Sequence, residues 1–167
     1  MSYELRASIA GNPAGAPDNS DLVATLAIRS VFGTLGTAEC GNGCWTFKRV
    51  GFWQSRASVR ACGSDADLAM FTNSTWDRGG TLECADGRRF KATTSFWKSS
   101  FEFTTDADEP LVRFDYGGLF DRSATVTLAP HAAGLPHVSM LISFGWYLIV
   151  MLNAQAEMDA GAVVATM

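Results

Sequence analysis

Residues 138 to 152 read VSMLISFGWYLIVML, fifteen positions without a charge and apolar on every helical face. A helix of that character must be enclosed on all sides, either by a bilayer or by the rest of the protein. A spanning helix needs about 20 apolar residues and buried core helices run shorter, so length alone leaves the choice open. Charge decides it. Membrane helices are oriented and anchored by Lys or Arg near an end, and neither residue occurs after Arg122. The C-terminal flank carries only Glu157 and Asp159, Pro136 stands where a helix can start, and Asn153 and Gln155 mark the end of the apolar run. The segment is read as a buried core helix over about 137–153, with Gly145, Ser139 and Ser143 forming a narrow face for close contact. Residues 156–167 are expected to form a flexible tail. A tail anchor is the alternative.

With 167 residues the chain fits one domain, expected over 1–155 and able to bury about 70% of the surface of its unfolded form. Hydrophobic residues make up 47% and charged residues 18%, the balance of an ordered globular chain. A net charge of −4 argues against a nucleic-acid binder, whose footprint is usually basic. The opening MSYELRASIAG has charges where a signal peptide would be apolar, so a cytoplasmic location is expected. Cysteines stand at 40, 44, 62 and 84. Cys40 and Cys44 bracket Gly41, Asn42 and Gly43 and are placed to face each other across a hairpin; the expected state is reduced, partly buried thiols, with a zinc site or a disulfide as the alternatives.

A shift of 44 residues superimposes GCWTFKRVGFW at 43–53 on GRRFKATTSFW at 87–97. Asn42-Gly43 and Asp86-Gly87 are both favoured two-residue hairpin turns, and Phe52-Trp53 and Phe96-Trp97 follow at equal distances. The strands beyond alternate with period two. Trp53, Ala57, Val59 and Ala61 oppose Gln54, Arg56, Ser58 and Arg60, and Trp97, Phe101 and Phe103 oppose Lys98, Ser100 and Glu102. The same alternation places strands at Tyr3 to Ile9 and Leu22 to Ile28, separated by a Gly/Pro/Asn-rich loop at 11–21. Further short strands are expected at Ala66 to Phe71, Thr81 to Cys84, Leu111 to Tyr116 and Ala124 to Leu128. Many one-sided strands and one wholly apolar helix suggest a mainly β fold, a closed antiparallel β-barrel of two pseudo-repeats around the central hydrophobic C-terminal helix. Small inward residues such as Ala57 and Ala61 would make room for Phe144, Trp146 and Tyr147.

The order of these parts resembles the tubby-like group of folds, which includes the LURP-one-related proteins and the phospholipid scramblases, and is closest to small bacterial relatives. The likeness lies in Trp45 to Phe47, Gly51-Phe52-Trp53, Asp86-Gly87, Phe96-Trp97, and Leu135-Pro136 followed by GWYLIVML at 145–152, and covers about residues 3–155. It implies about twelve antiparallel strands enclosing a hydrophobic C-terminal helix. Tubby proteins bind phosphoinositide headgroups on a basic surface and scramblases concern lipid movement. No binding motif of the group aligns position by position, so the resemblance implies no ligand residue.

Catalytic signatures are absent from the sequence: no phosphate-binding glycine loop, dinucleotide fingerprint, GxSxG elbow or HExxH helix. No cofactor, metal or catalytic residue is expected. His131 and His137 lie in the loop before the helix at a spacing unlike a metal pair, and are assigned turn or capping roles. Asp65, Asp67, Asp106, Asp108 and Glu109 are read as solvated loop charge, with a calcium site as the alternative although the spaced ligand loop of an EF-hand is absent from the sequence. The functional hint is basic. Lys48 and Arg49 in one copy, Arg88, Arg89 and Lys91 in the other, and Arg56 and Arg60 on an outward strand face would form an anion-binding patch if the copies pack side by side; otherwise they are solubilising surface charges paired with Asp or Glu. These residues point to a non-catalytic cytoplasmic binding module, peripheral to the membrane, that engages an anionic phospholipid headgroup or a protein through the barrel surface. The alternatives are a scramblase-like or tail-anchored membrane protein and a small-molecule enzyme or carrier.

Overall fold

The computed structural model describes residues 2–7, 21–28, 34–40, 43–50, 55–74, 79–95, 100–116 and 124–165. Eleven strands and one helix occur among them: β1 Ser2–Ala7, β2 Asp21–Ile28, β3 Gly36–Cys40, β4 Gly43–Val50, β5 Arg56–Ala61, β6 Asp67–Ser74, β7 Gly79–Cys84, β8 Arg89–Thr94, β9 Ser100–Thr105, β10 Pro110–Tyr116, β11 Ala124–Leu128 and α1 Val138–Ala165. About twelve strands were expected. Asn42, Phe52-Trp53 and Phe96-Trp97, together with the 11–20 part of the N-terminal loop, lie outside the described residues.

All strands belong to one sheet in the order β1-β11-β10-β9-β8-β7-β6-β5-β4-β3-β2. Ten neighbouring pairs are antiparallel. The eleventh corrects the expectation of a wholly antiparallel arrangement: β1 meets β11 in parallel, through Arg6↔Thr125 and Ala7↔Val126. A parallel contact between the first and last strands follows from an odd number of strands that alternate in direction.

The repeat has a structural counterpart. Shifted by 44 residues, Arg56–Ala61 falls on β9 Ser100–Thr105, while β4, β6 and β7 fall on the spans of β8, β10 and β11. Period-two alternation sets the faces. Ala57 and Val59 of β5, Phe101 and Phe103 of β9, and Val112, Phe114 and Tyr116 of β10 are buried, whereas Arg56, Arg113 and Asp115 face solvent. Asp86-Gly87 turns differently from the expected two-residue link. Gly87 N–H bonds to Cys84 C=O and Cys84 N–H to Arg88 C=O, so Ala85 to Gly87 make a three-residue turn with Gly87 at φ 90°. That is the arrangement in which the αL position favours glycine. The same pattern recurs at Thr105 to Glu109, with Asp108 at φ 61°.

The apolar helix is enclosed. Met140 to Tyr147, Ile149 and Val150 are all buried, covering every face of the helix. Phe144 meets the rings of Phe47 on β4, Phe71 on β6 and Phe103 on β9, at centroid distances of 5.4, 5.6 and 6.5 Å. Strands far apart in the sheet order thus reach one side chain, which requires the sheet to curve around α1. Fifteen helical residues rise about 22 Å, comparable to the roughly 20–26 Å length of a strand of six to eight residues. The apolar run is therefore as long as the wall that covers it. The chain departs from the expected end at 153, for α1 continues to Ala165 through most of the segment read as a flexible tail. Among the described residues, no helix is long and apolar enough to cross a membrane.

Close contacts fix the helix within the sheet. A Cβ on Gly145 would lie 2.5 Å from the Phe114 ring, and one on Gly36 would lie 2.8 Å from the Tyr147 ring. Gly145 thus provides the close approach expected of it, and the Ser143 hydroxyl donates to the Ser139 carbonyl at 2.9 Å. The Tyr147 hydroxyl donates to the Thr34 carbonyl, joining helix to the entry of β3. Burial pushes the tyrosine up to about 12, offset in part by Arg49.

The cysteines follow register instead of proximity in sequence. Cys40 pairs with Gly43 on the inner face and Cys44 with Glu39 on the other, so Cys40 and Cys44 do not face each other. Cys44 is disulfide-bonded to Cys62 across β4 and β5, with a Cα–Cα separation of 5.4 Å. Cys40 and Cys84 are free and buried. Reduced thiols were expected at all four positions; the Cys44–Cys62 bond corrects this, and disulfides persist chiefly in oxidising surroundings.

Candidate functional site

Antiparallel alternation brings the C-terminal ends of β4, β6, β8 and β10 to the same end of the sheet as the starts of β5, β7 and β9. A cavity of about 450 Å³ lies there, within the range of small-molecule sites. Its apolar part comes from Ala57, Phe71, Phe101, Leu148, Met151 and Leu152. Hydroxyls and amides of Ser55, Asn73, Ser74, Thr94, Ser95 and Asn153 rim it, with Tyr116 beside them. Among the described residues, the cations of the lining are Arg49 and Arg56.

The arginines arrive by different routes. Arg49 is two residues beyond the fully buried Phe47, so period two turns it toward the inner face at the end of β4, where it is half-buried. Arg56 opens β5, is exposed, and reaches the cavity because the strand starts at its edge. Neither arginine has a carboxylate partner among the described residues. Arg49 instead lies beside Tyr147, where it partly offsets the rise that burial imposes on the phenol. Burial also raises the Tyr116 phenol above its ordinary value.

The other basic residues are placed elsewhere. β5, β6 and β7 separate β4 from β8 in the sheet, so the two copies do not lie side by side and their cations do not merge into one patch. Arg60 is bonded to Asp67 at 2.6 Å, Arg89 pairs with Glu83 at 3.3 Å, and Lys91 with Asp108 at 3.0 Å. Asp67 and Asp108 are therefore ion-pair partners rather than solely solvated charge. Lys48 is exposed on the outer face of β4, and Arg88 follows the turn at the opposite end from the cavity. Of the seven candidates, Arg49 and Arg56 are brought together.

Sequence reasoning missed the polar rim. Ser55, Asn73, Ser74, Thr94 and Ser95 look like ordinary loop-flanking residues, and only strand direction shows that they share one end. It also missed a cluster at the other end. His137 accepts the Leu141 N–H at its backbone carbonyl, the capping role expected, while its ring Nε2 lies 2.7 Å from Asp86 Oδ2. The cavity can hold an anion against an apolar wall; among the described residues its lining includes no carboxylate or imidazole. No family model, curated protein or solved structure matches the chain.

Proposed function

We propose that this chain is a non-catalytic binding module that takes an anionic lipid at the cavity end, with the acidic headgroup against Arg49 and Arg56 and an acyl segment against Phe71, Phe101, Leu148 and Met151. One observation carries the reading: a half-buried arginine, Arg49, with no carboxylate partner among the described residues, sits at the edge of an apolar cavity. A cation so placed has lost part of its hydration without an ionic partner, and an entering anion restores the balance. Apolar wall and cationic rim together match an amphiphile better than a free inorganic anion.

In this reading the sheet is a closed wall and α1 its plug, an architecture supported by the β1–β11 pairing and by burial on every face of the helix. It agrees with the tubby-like resemblance, in which lipid recognition recurs. The helix is occupied by protein contacts, which disfavours a tail anchor. Flotation of the full chain with neutral vesicles and with vesicles containing an anionic phospholipid tests the proposal. Binding confined to the anionic vesicles, weakened by salt and abolished in Arg49→Gln/Arg56→Gln, is expected. Equal flotation with both vesicle types, or none with either, overturns it.

A further inference from the structure

At the end of the sheet away from the cavity, Cys84 closes β7, Asp86 stands in the following turn, and His137 precedes α1. A sulfur, a carboxylate oxygen and a ring nitrogen of these residues lie within 4.8 Å of one another. The residues come from a hairpin and a helix start 51 positions apart, so tertiary packing alone assembles them. Each is held in place. Asp86 Oδ1 accepts the Arg88 N–H at 3.0 Å, and Oδ2 faces His137 Nε2. The His137 ring lies 5.7 Å from that of Phe90 and its side chain is 15% exposed. Its Nδ1 is buried and has no hydrogen-bond partner among the described residues. A simple ion pair would account for Nε2 and Asp86 but leaves that nitrogen, and the adjacent buried thiol, unused.

We propose that Cys84, Asp86 and His137 form a binding site for a divalent transition metal of the zinc class. Thiolate and imidazole select zinc or cobalt over magnesium and calcium, and the carboxylate completes a mixed S/N/O set. Cys84 loses its proton to solvent as the metal–sulfur bond forms, and His137 binds as the neutral imidazole. Asp86 is half-exposed, so a water can occupy the fourth position from its side. The metal would join the β7–β8 turn to the start of α1, fastening the helix to the wall at the end opposite the lipid cavity. This site is independent of the arginines.

Cobalt provides a probe that reports sulfur ligation directly. The purified full chain, treated with chelator and titrated with Co²⁺, should gain one equivalent of thiolate-to-cobalt charge-transfer absorbance that Zn²⁺ then displaces. Among the described cysteines, Cys44 and Cys62 are joined and Cys40 lies on β3, so Cys84 is the thiol at issue. Cys84→Ser should abolish the band, His137→Gln should weaken Co²⁺ and Zn²⁺ binding by at least about tenfold, and Cys40→Ser should leave both unchanged. Circular dichroism establishes that each variant is folded, and His137→Gln serves if Cys84→Ser is not. Absence of a band at saturating Co²⁺, a band lost in Cys40→Ser, or unchanged affinity in folded His137→Gln overturns the assignment.

Discussion

The enclosure of α1 is most sharply tested at Gly145. Replacing a helix-interior glycine by alanine ordinarily stabilises by about 1 kcal/mol, since alanine loses less backbone freedom on folding. Here the added Cβ would stand 2.5 Å from Phe114 Cε2 and Cζ and 3.0 Å from Phe103 Cε2. Carbon atoms prefer about 3.5–4.0 Å, so the Phe114 ring would have to retreat by roughly 1 Å. It has little room: Phe114 is 0% exposed and its centroid lies 5.9 Å from Phe101, which in turn lies 5.1 Å from Phe103. Overpacking of this kind costs about 1–3 kcal/mol, which cancels or exceeds the gain in helix propensity. The decisive quantity is the coupling between the two positions. In a Phe114→Leu background the nearest ring is gone, and Gly145→Ala should be markedly less costly, with the 3.0 Å approach to Phe103 remaining. A double-mutant cycle by urea denaturation, followed by the fluorescence of buried Trp146, should give an interaction of about 1–3 kcal/mol. Additivity within about 0.5 kcal/mol, or a Gly145→Ala protein about 1 kcal/mol more stable than the parent, would refute close packing of the helix against β9 and β10.

Other consequences follow from single features. Phe144→Ala removes a fully buried ring that bridges β4, β6 and β9; it should cost about 3–5 kcal/mol in denaturant unfolding, and a loss below about 1 kcal/mol would contradict a filled interior. Cys62→Ser opens an 18-residue loop, and a loss of about 2–4 kcal/mol relative to the oxidised parent is expected, with no difference between the two proteins once both are kept under reductant. Tyr147 keeps its proton up to about 12 in the folded chain against 10.0 when unfolded. The unfolded state thus binds fewer protons between these values, and the contribution present below pH 10 is lost as pH rises through about 12. Tyr147→Phe should make the decline across that window shallower; an equally steep decline in the variant would remove Tyr147 as its cause.

The sequence by itself determined the layers. A fifteen-residue stretch with no polar face had to be enclosed, and the lack of Lys or Arg after Arg122 favoured protein over lipid. Period-two alternation assigned Ala57, Val59, Phe101 and Phe103 to the inside, and the 44-residue interval placed β5 on β9 before any pairing was known. These properties are local: each depends on the order of residues along one element. Which groups meet was decided by the tertiary structure. The sheet places Arg49 and Arg56 around one cavity while Arg60, Arg89 and Lys91 take acidic partners, bonds Cys44 to Cys62 instead of facing it toward Cys40, and carries His137 across 51 positions to Asp86. Strand order, register and the curvature of the sheet around α1 set those encounters. They are properties of how distant segments pack, and spacing along the chain does not encode them in readable form.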